Sequence, residues 1–129
     1  MIVITGSTVG RITVYPMDAE PGFVSQHVAI CRVPSEVVPR FAFWGLHNSK
    51  GREQLLGQRY GQGKPGLNLT NIRNLTLPLP PIEEQQRVVV SLERFERSSR
   101  HVIEMQRQRR SELEALLPSI LDKAFRGEL

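Results

Sequence analysis

The stretch Leu75–Leu92, "LTLPLPPIEEQQRVVVSL", changes character at its middle and divides the chain in two. Pro78, Pro80 and Pro81 rule out helix ahead of them, because a residue preceding proline is pushed out of the α region. "LTLPLP" therefore reads as an extended edge segment, where no ladder bond is asked of a proline. Pro81 suits the first position of a helix, and Glu83 and Glu84 follow in its first turn. There each carboxylate gains about 0.3 to 1 kcal/mol from the helix dipole, so they are caps before they are catalysts. From Ile82 to Leu117 there is neither glycine nor proline, which predicts one helix of roughly 50 Å. Pro118 should kink or restart it before "SILDKAFRGEL", and Gly127 should stop it.

Such a helix is too long for a small core to cover. A heptad frame places Val89, Glu96, Ile103, Arg110 and Leu117 at a, with Leu92, Ser99, Gln106, Leu113 and Ile120 at d. The seam is apolar at both ends and polar between, which fits an antiparallel helical partner that touches mainly near the two ends, or one that supplies its own polar groups opposite Glu96, Ser99 and Gln106. Val89, Leu92, Ile103, Leu113, Leu117 and Ile120 are the expected partner-binding residues. Glu93 with Arg97, and Glu96 with Arg100, stand four apart in the favourable order, so much of the remaining surface is a solvated face.

Working back from the junction, the chain reads as short strands followed by short helices. Strands are expected over Ile2–Thr5, Arg11–Tyr15 and Val28–Val33, with Gly6 and Gly10 making a strand-to-strand turn. "PMDAEPG" is a surface loop, and the segment from Pro39 to Tyr60 gives two helices with a break near Gly51. Thr70 is the expected cap of a single helical turn. The fold class is α+β: a small domain of short strands and helices over residues 1–80 and a long coiled-coil-type helix over residues 81–129. "IVIT" has the density of a buried strand yet follows Met1 directly, so the reading expects a chain that starts mid-domain, its first strand lacking a neighbour.

With 129 residues, 40% of them hydrophobic and 23% charged, the chain is bounded to one globular unit and an appendage, and disorder is excluded. Its net charge of +4 is a small vote for a polyanionic partner. Cys31 is the sole cysteine and sits in "HVAICRV", which predicts a buried structural thiol and a reducing, cytoplasmic setting. A basic leader and a membrane-length apolar run are both missing, so neither export nor insertion is expected.

Catalytic chemistry finds no footing. "GSTVGR" and "GQGKPG" lack the spacing of a phosphate loop, and Pro65 follows Lys64 where a magnesium site requires a hydroxyl. His27, His47 and His101 share no metal-ligand spacing, so neither a metal nor another cofactor is expected. Arg59, Tyr60, Gln62 and Lys64, in a glycine-rich loop, do form a combination suited to a DNA groove. Arg and Gln make bidentate base contacts, and Lys holds phosphate. With Arg11 they make up the expected DNA-binding set.

"LTNIRNLTLPLPPIEEQQRV", followed some thirty residues later by "LLPSILDKAFRGEL", resembles the specificity subunit of type I restriction and modification systems. In that family a target recognition domain ends in a "PLPP.EEQ" junction leading into a spacer helix that closes on "ILDKAFRGEL". The first half agrees in order, through "IVITGSTVGR", "SQHVAI", "LHNSKGREQLL" and "GQGKPGLNLTNIRNL". The resemblance implies a non-catalytic reader of double-stranded DNA whose helix packs antiparallel on an equivalent helix and docks methyltransferase subunits, while a separate restriction subunit translocates and cleaves. Whole subunits carry two recognition domains and two helices, whereas this chain has one helix and the later half of one domain. The partner across the helix is then a second copy or the other half of a specificity subunit. The competing expectation is a helical interaction module that no longer reads DNA.

Overall fold

The structure is a computed structural model and describes residues 1–57 and 66–128. Its elements run β1 (Ile2–Val3), β2 (Val28–Ala29), α1 (Pro39–His47), α2 (Ser49–Gly57), α3 (Leu69–Arg73) and α4 (Ile82–Arg126), an α+β and mostly helical chain with a long C-terminal helix. Two compact units divide it, Met1–Val89 and Val90–Leu129.

β1 pairs antiparallel with β2, Ile2 opposite Ala29 and Val3 opposite Val28. Its other edge is also occupied, since the Val3 amide donates to the Arg11 carbonyl at 2.9 Å and the Thr13 amide to Met1 at 3.0 Å. The expectation that the first strand lacks a neighbour is therefore corrected. The strands themselves are shorter than their sequences promise, for a reason of register. With Ala29 opposite Ile2, and Ile12 bridged to Ile2 from the other side, β1 has only Met1 left to offer beyond these pairs. "ICRV" and "VY" consequently run past the ladder, and Ile30 and Tyr15 stay exposed. Gly6 and Gly10 turn the chain, as expected, at φ of +96° and +84°. At Gly10 a Cβ would also stand 2.7 Å from a Leu56 methyl.

The core gathers Ile2, Val9, Ile12, Leu46, Leu55 and Leu67, with Phe43, Ile72 and Leu77 packed against it. Each fully buried aliphatic side chain contributes about 1.5 to 3 kcal/mol of transfer free energy. α1 begins at Pro39, as its fixed φ favours. The break between α1 and α2 falls at Asn48, not near Gly51. The Asn48 backbone is extended and its Oδ1 accepts the Gly51 amide at 2.9 Å, a side-chain cap. Gly51 lies inside α2 and serves another purpose: a Cβ there would lie 2.2 Å from the Gly45 carbonyl oxygen, so α1 and α2 touch backbone to backbone. α3 is capped by Asn68 instead of Thr70, with Asn68 and Asn71 exchanging side-chain to backbone bonds at 2.8 and 2.9 Å.

The α4 start differs from expectation by one residue: Pro81 precedes the helix, and its carbonyl accepts the Glu84 and Gln85 amides at 3.0 Å each. Glu83 and Glu84 do lie in the first turn. Pro118 neither breaks nor restarts the helix. Proline removes a single ladder donor, and the flanking turns remain helical to Arg126. Gly127, at φ +72°, ends it, with Gly127 and Glu128 amides donating back to Ala124 and Lys123.

Gln85 is fully buried. Its Oε1 accepts the Val38 amide at 2.9 Å, and its Nε2 donates to the carbonyls of Glu36 at 2.9 Å and Pro80 at 2.8 Å. Replacing Gln85 with Ala strands the Val38 amide at a cost of about 1 to 3 kcal/mol before any loss of packing. Gln85→Ala should therefore melt clearly below the parent by circular dichroism, and Gln85→Glu, which keeps the acceptor but loses both donors, should not restore the parent melting temperature.

Candidate nucleic-acid interface

Charge is distributed very unevenly along the chain. Residues 37–82 carry Arg40, Lys50, Arg52, Arg59, Lys64 and Arg73 against one acid, Glu53, whereas residues 83–129 carry nine acids and nine bases. The surplus that would attract a polyanion thus belongs to the part of the chain between the strands and the long helix.

Four members of the expected DNA-binding set, Arg59, Tyr60, Gln62 and Lys64, lie outside the described residues. Their flanks are described. On one side α2 ends at Gly57; on the other Gly66 bridges to Thr5, and the buried Leu67 donates its amide to Ile4 at 2.7 Å. A second glutamine braces this region: Gln54 Oε1 accepts the Thr76 amide and hydroxyl at 3.0 Å, and its Nε2 donates to the Thr76 carbonyl at 3.2 Å. α2 is in this way stitched to the extended segment that leads into the junction. Arg11 is exposed, bonded through its carbonyl to Val3, and rims an apolar groove of about 300 Å³ whose walls include Val3, Ile12, Phe23 and Val24. Arg11 and Gly66 are thus anchored on chain positions only two residues apart, Val3 and Thr5.

Lys50 and Arg52 belong to the same positively charged part of the chain. Both are exposed in the first turn of α2. Their mark in the sequence is the acid-free run from Val37 to Arg52.

The expected partner-binding residues do not share one environment. Val89 is buried, which leaves it little surface for a partner, and Leu92 is half-buried. Ile103, Leu113, Leu117 and Ile120 are all exposed, Leu113 and Leu117 at more than 60%. Between them the helix surface carries ion pairs, Arg100 with Glu96 at 2.5 Å and Arg110 with Glu114 at 2.8 Å. His27 Nδ1 lies 2.5 Å from Thr5 Oγ1, and His47 packs its ring on Phe43 with centroids 4.4 Å apart. Among the described residues no His, Cys, Asp and Glu cluster could hold a metal ion, and no helix is long and apolar enough to cross a membrane.

Residues 1–115 match the family described as the type I restriction modification DNA specificity domain. The chain belongs to that family. Its curated relatives include the Escherichia coli "Type I restriction enzyme EcoBI specificity subunit", 29% identical over the whole of this chain and 27% of the relative. The Salmonella potsdam "Type I restriction enzyme StySPI specificity subunit" is 27% identical over the whole chain and 29% of its own length. The chain thus spans little more than a quarter of these relatives. Within this specificity-domain chain the "PLPP.EEQ" junction has a physical content: its last residue is Gln85, the buried clamp.

Cys31 departs from expectation. It is exposed, because the β2 ladder ends before it. Partial desolvation still raises its thiol above the usual cysteine range, opposed by the nearby Met1 ammonium. Since the thiolate is the reactive form, the native thiol should react with a small disulfide reagent along a pH profile displaced upward from that of a free cysteine peptide. A profile displaced downward would mark an activated thiol.

Proposed function

We propose that this chain is a non-catalytic DNA-recognition component of a type I restriction and modification complex, with residues 1–80 contributing to target recognition and residues 81–129 acting as spacer and dimerisation helix. The observation that carries the proposal is the extent of the family match, residues 1–115, which takes in the strands, the positively charged middle, the Gln85 junction and most of α4. Its partners are double-stranded DNA, methyltransferase subunits that the helix helps to position, and through them the restriction subunit. A second copy, or the other half of a specificity subunit, lies against the helix, and the complex works in the cytoplasm. Charge partition supports this division of labour. The middle of the chain suits phosphate, while the balanced helix would gain nothing from DNA and is suited to another helix.

Leu113, Leu117 and Ile120 are exposed apolar residues at heptad positions, and burying them is what a partner would offer. Leu113→Glu with Leu117→Glu should weaken self-association or methyltransferase docking, since loss of a buried leucine typically costs about 2 to 5 kcal/mol. Light scattering and pull-down with methyltransferase subunits check this; unchanged mass together with unchanged capture contradicts it.

The loop residues are tested in the complex assembled with partner subunits, on cognate and scrambled duplexes. Lys64→Ala should weaken binding to every sequence and flatten the salt dependence by about one unit of slope. Arg59→Ala or Gln62→Ala should instead cost about 1 to 3 kcal/mol on the cognate site while sparing non-specific binding. If all three variants bind both duplexes like the parent, the interaction-module reading replaces this one.

A further inference from the structure

Gly51 faces α1 so closely that no side chain fits there, with the Leu46 Cα 2.6 Å and the Gly45 carbonyl oxygen 2.2 Å from where its Cβ would be. That contact fixes the rotation of α2 about its own axis. Neighbouring residues on a helix are about 100° apart, so Lys50 and Arg52 must turn away from α1 to either side of Gly51, and both are exposed. The elbow that carries them is stiff: Asn48 caps the start of α2 with its side chain and its carbonyl accepts the Arg52 amide at 2.9 Å, while Leu46 and Leu55 anchor the two helices in the core.

These two cations are badly placed for the stability of their own helix. The first turn of a helix favours acids and disfavours bases, and α4 follows that rule with Glu83 and Glu84. α2 has no acid in its first turn, and among the described residues Lys50 and Arg52 take part in no side-chain hydrogen bond or ion pair. The one acid within ten residues of either is Glu53, and among the described residues it forms no ion pair with them. Two cations free of ion pairs, on a backbone held in place within the segment that carries the surplus charge of the chain, form the arrangement that phosphate contact selects, because no ion pair has to be broken before phosphate is reached and each contact releases a counterion.

We propose that Lys50 and Arg52, splayed about Gly51 at the α1–α2 elbow, form a contact surface for the phosphate backbone of double-stranded DNA, in addition to the contacts proposed above for Arg59, Gln62 and Lys64. This rests on the DNA-recognition reading above. The surface is sequence-independent: it sets how the recognition unit lies on the duplex and leaves base reading to other residues.

The test uses the full 129-residue chain with a labelled duplex, in fluorescence anisotropy across a salt series. Lys50→Ala and Arg52→Ala should each lower the slope of log K against log salt by about 0.9, and the double variant by about twice that, equally on duplexes of different sequence. Lys50→Arg should keep the parent slope. Arg94→Ala and Arg107→Ala, on the charge-balanced helix, serve as controls for charge loss alone and should also leave it unchanged. Melting by circular dichroism confirms that the elbow variants fold like the parent. A parent that binds with a clear salt slope which neither elbow variant alters overturns this surface while the DNA reading stands. An equal fall in slope for the helix controls likewise overturns it. Where the parent binds only in the complex assembled with its partner subunits, the same series is read in that complex, and a parent that binds no duplex in either form overturns both.

Discussion

Gln85 has two amide hydrogens and one carbonyl oxygen in its side chain, and all three groups are used while it is fully buried. It ties the first turn of α4 to the approach to α1, at Glu36 and Val38, and to Pro80 just ahead of the helix. A carboxylate has no hydrogen to give the two carbonyls, an ammonium cannot accept from Val38, and an aliphatic group can do neither. Only a primary amide of this length satisfies the site, and burial makes any failure costly. The clamp fixes the approach to α1 against the start of α4, with Gln54 doing similar duty between α2 and Thr76.

Around the clamp the structure economises on regular elements. Among the described residues two strands of two residues each, two isolated bridges and a set of loop bonds hold Ile2, Ile12 and Leu67 in the core, and three of the four helices are short. Stiffness comes instead from close backbone approach at Gly51 and from asparagine caps at Asn48 and Asn68. These features need small or amide side chains at fixed points and place no demand on the residues between them. The surface between is therefore free to carry charge, and the chain uses that freedom asymmetrically, with cations in clear excess in the middle and matched in number by acids over residues 83–129, where Arg100 and Arg110 form ion pairs.

Much of this was legible beforehand. The proline run and its two glutamates marked the start of α4, Gly127 its end, and Pro39 the start of α1, because each acts through local backbone geometry that the residue type fixes. The family resemblance likewise rested on the junction and the closing motif. Other readings failed where a second residue, near or distant, decides. Thr70 has the chemistry of a cap, yet Asn68 caps α3 because Asn71 answers it. Cys31 sits among apolar neighbours in sequence, yet it is exposed because the β2 register runs out two residues earlier. Gly51 looked like a helix break and is a packing contact. Val89 looked available for a partner and is already buried.

The sequence by itself determined which segments are helical, where the long helix begins and stops, and that net positive charge is concentrated ahead of it. Those properties follow from dihedral preferences, hydrogen-bonding inventory and formal charge, which each residue carries wherever it lies. Only the tertiary structure decided that β1 has neighbours on both edges, that Gln85 is a buried three-way clamp, and that Lys50 and Arg52 stand outward on a rigid elbow. Those depend on pairing register and on contacts between residues up to 49 positions apart, as between Gln85 and Glu36, and no local preference encodes a separation of that size.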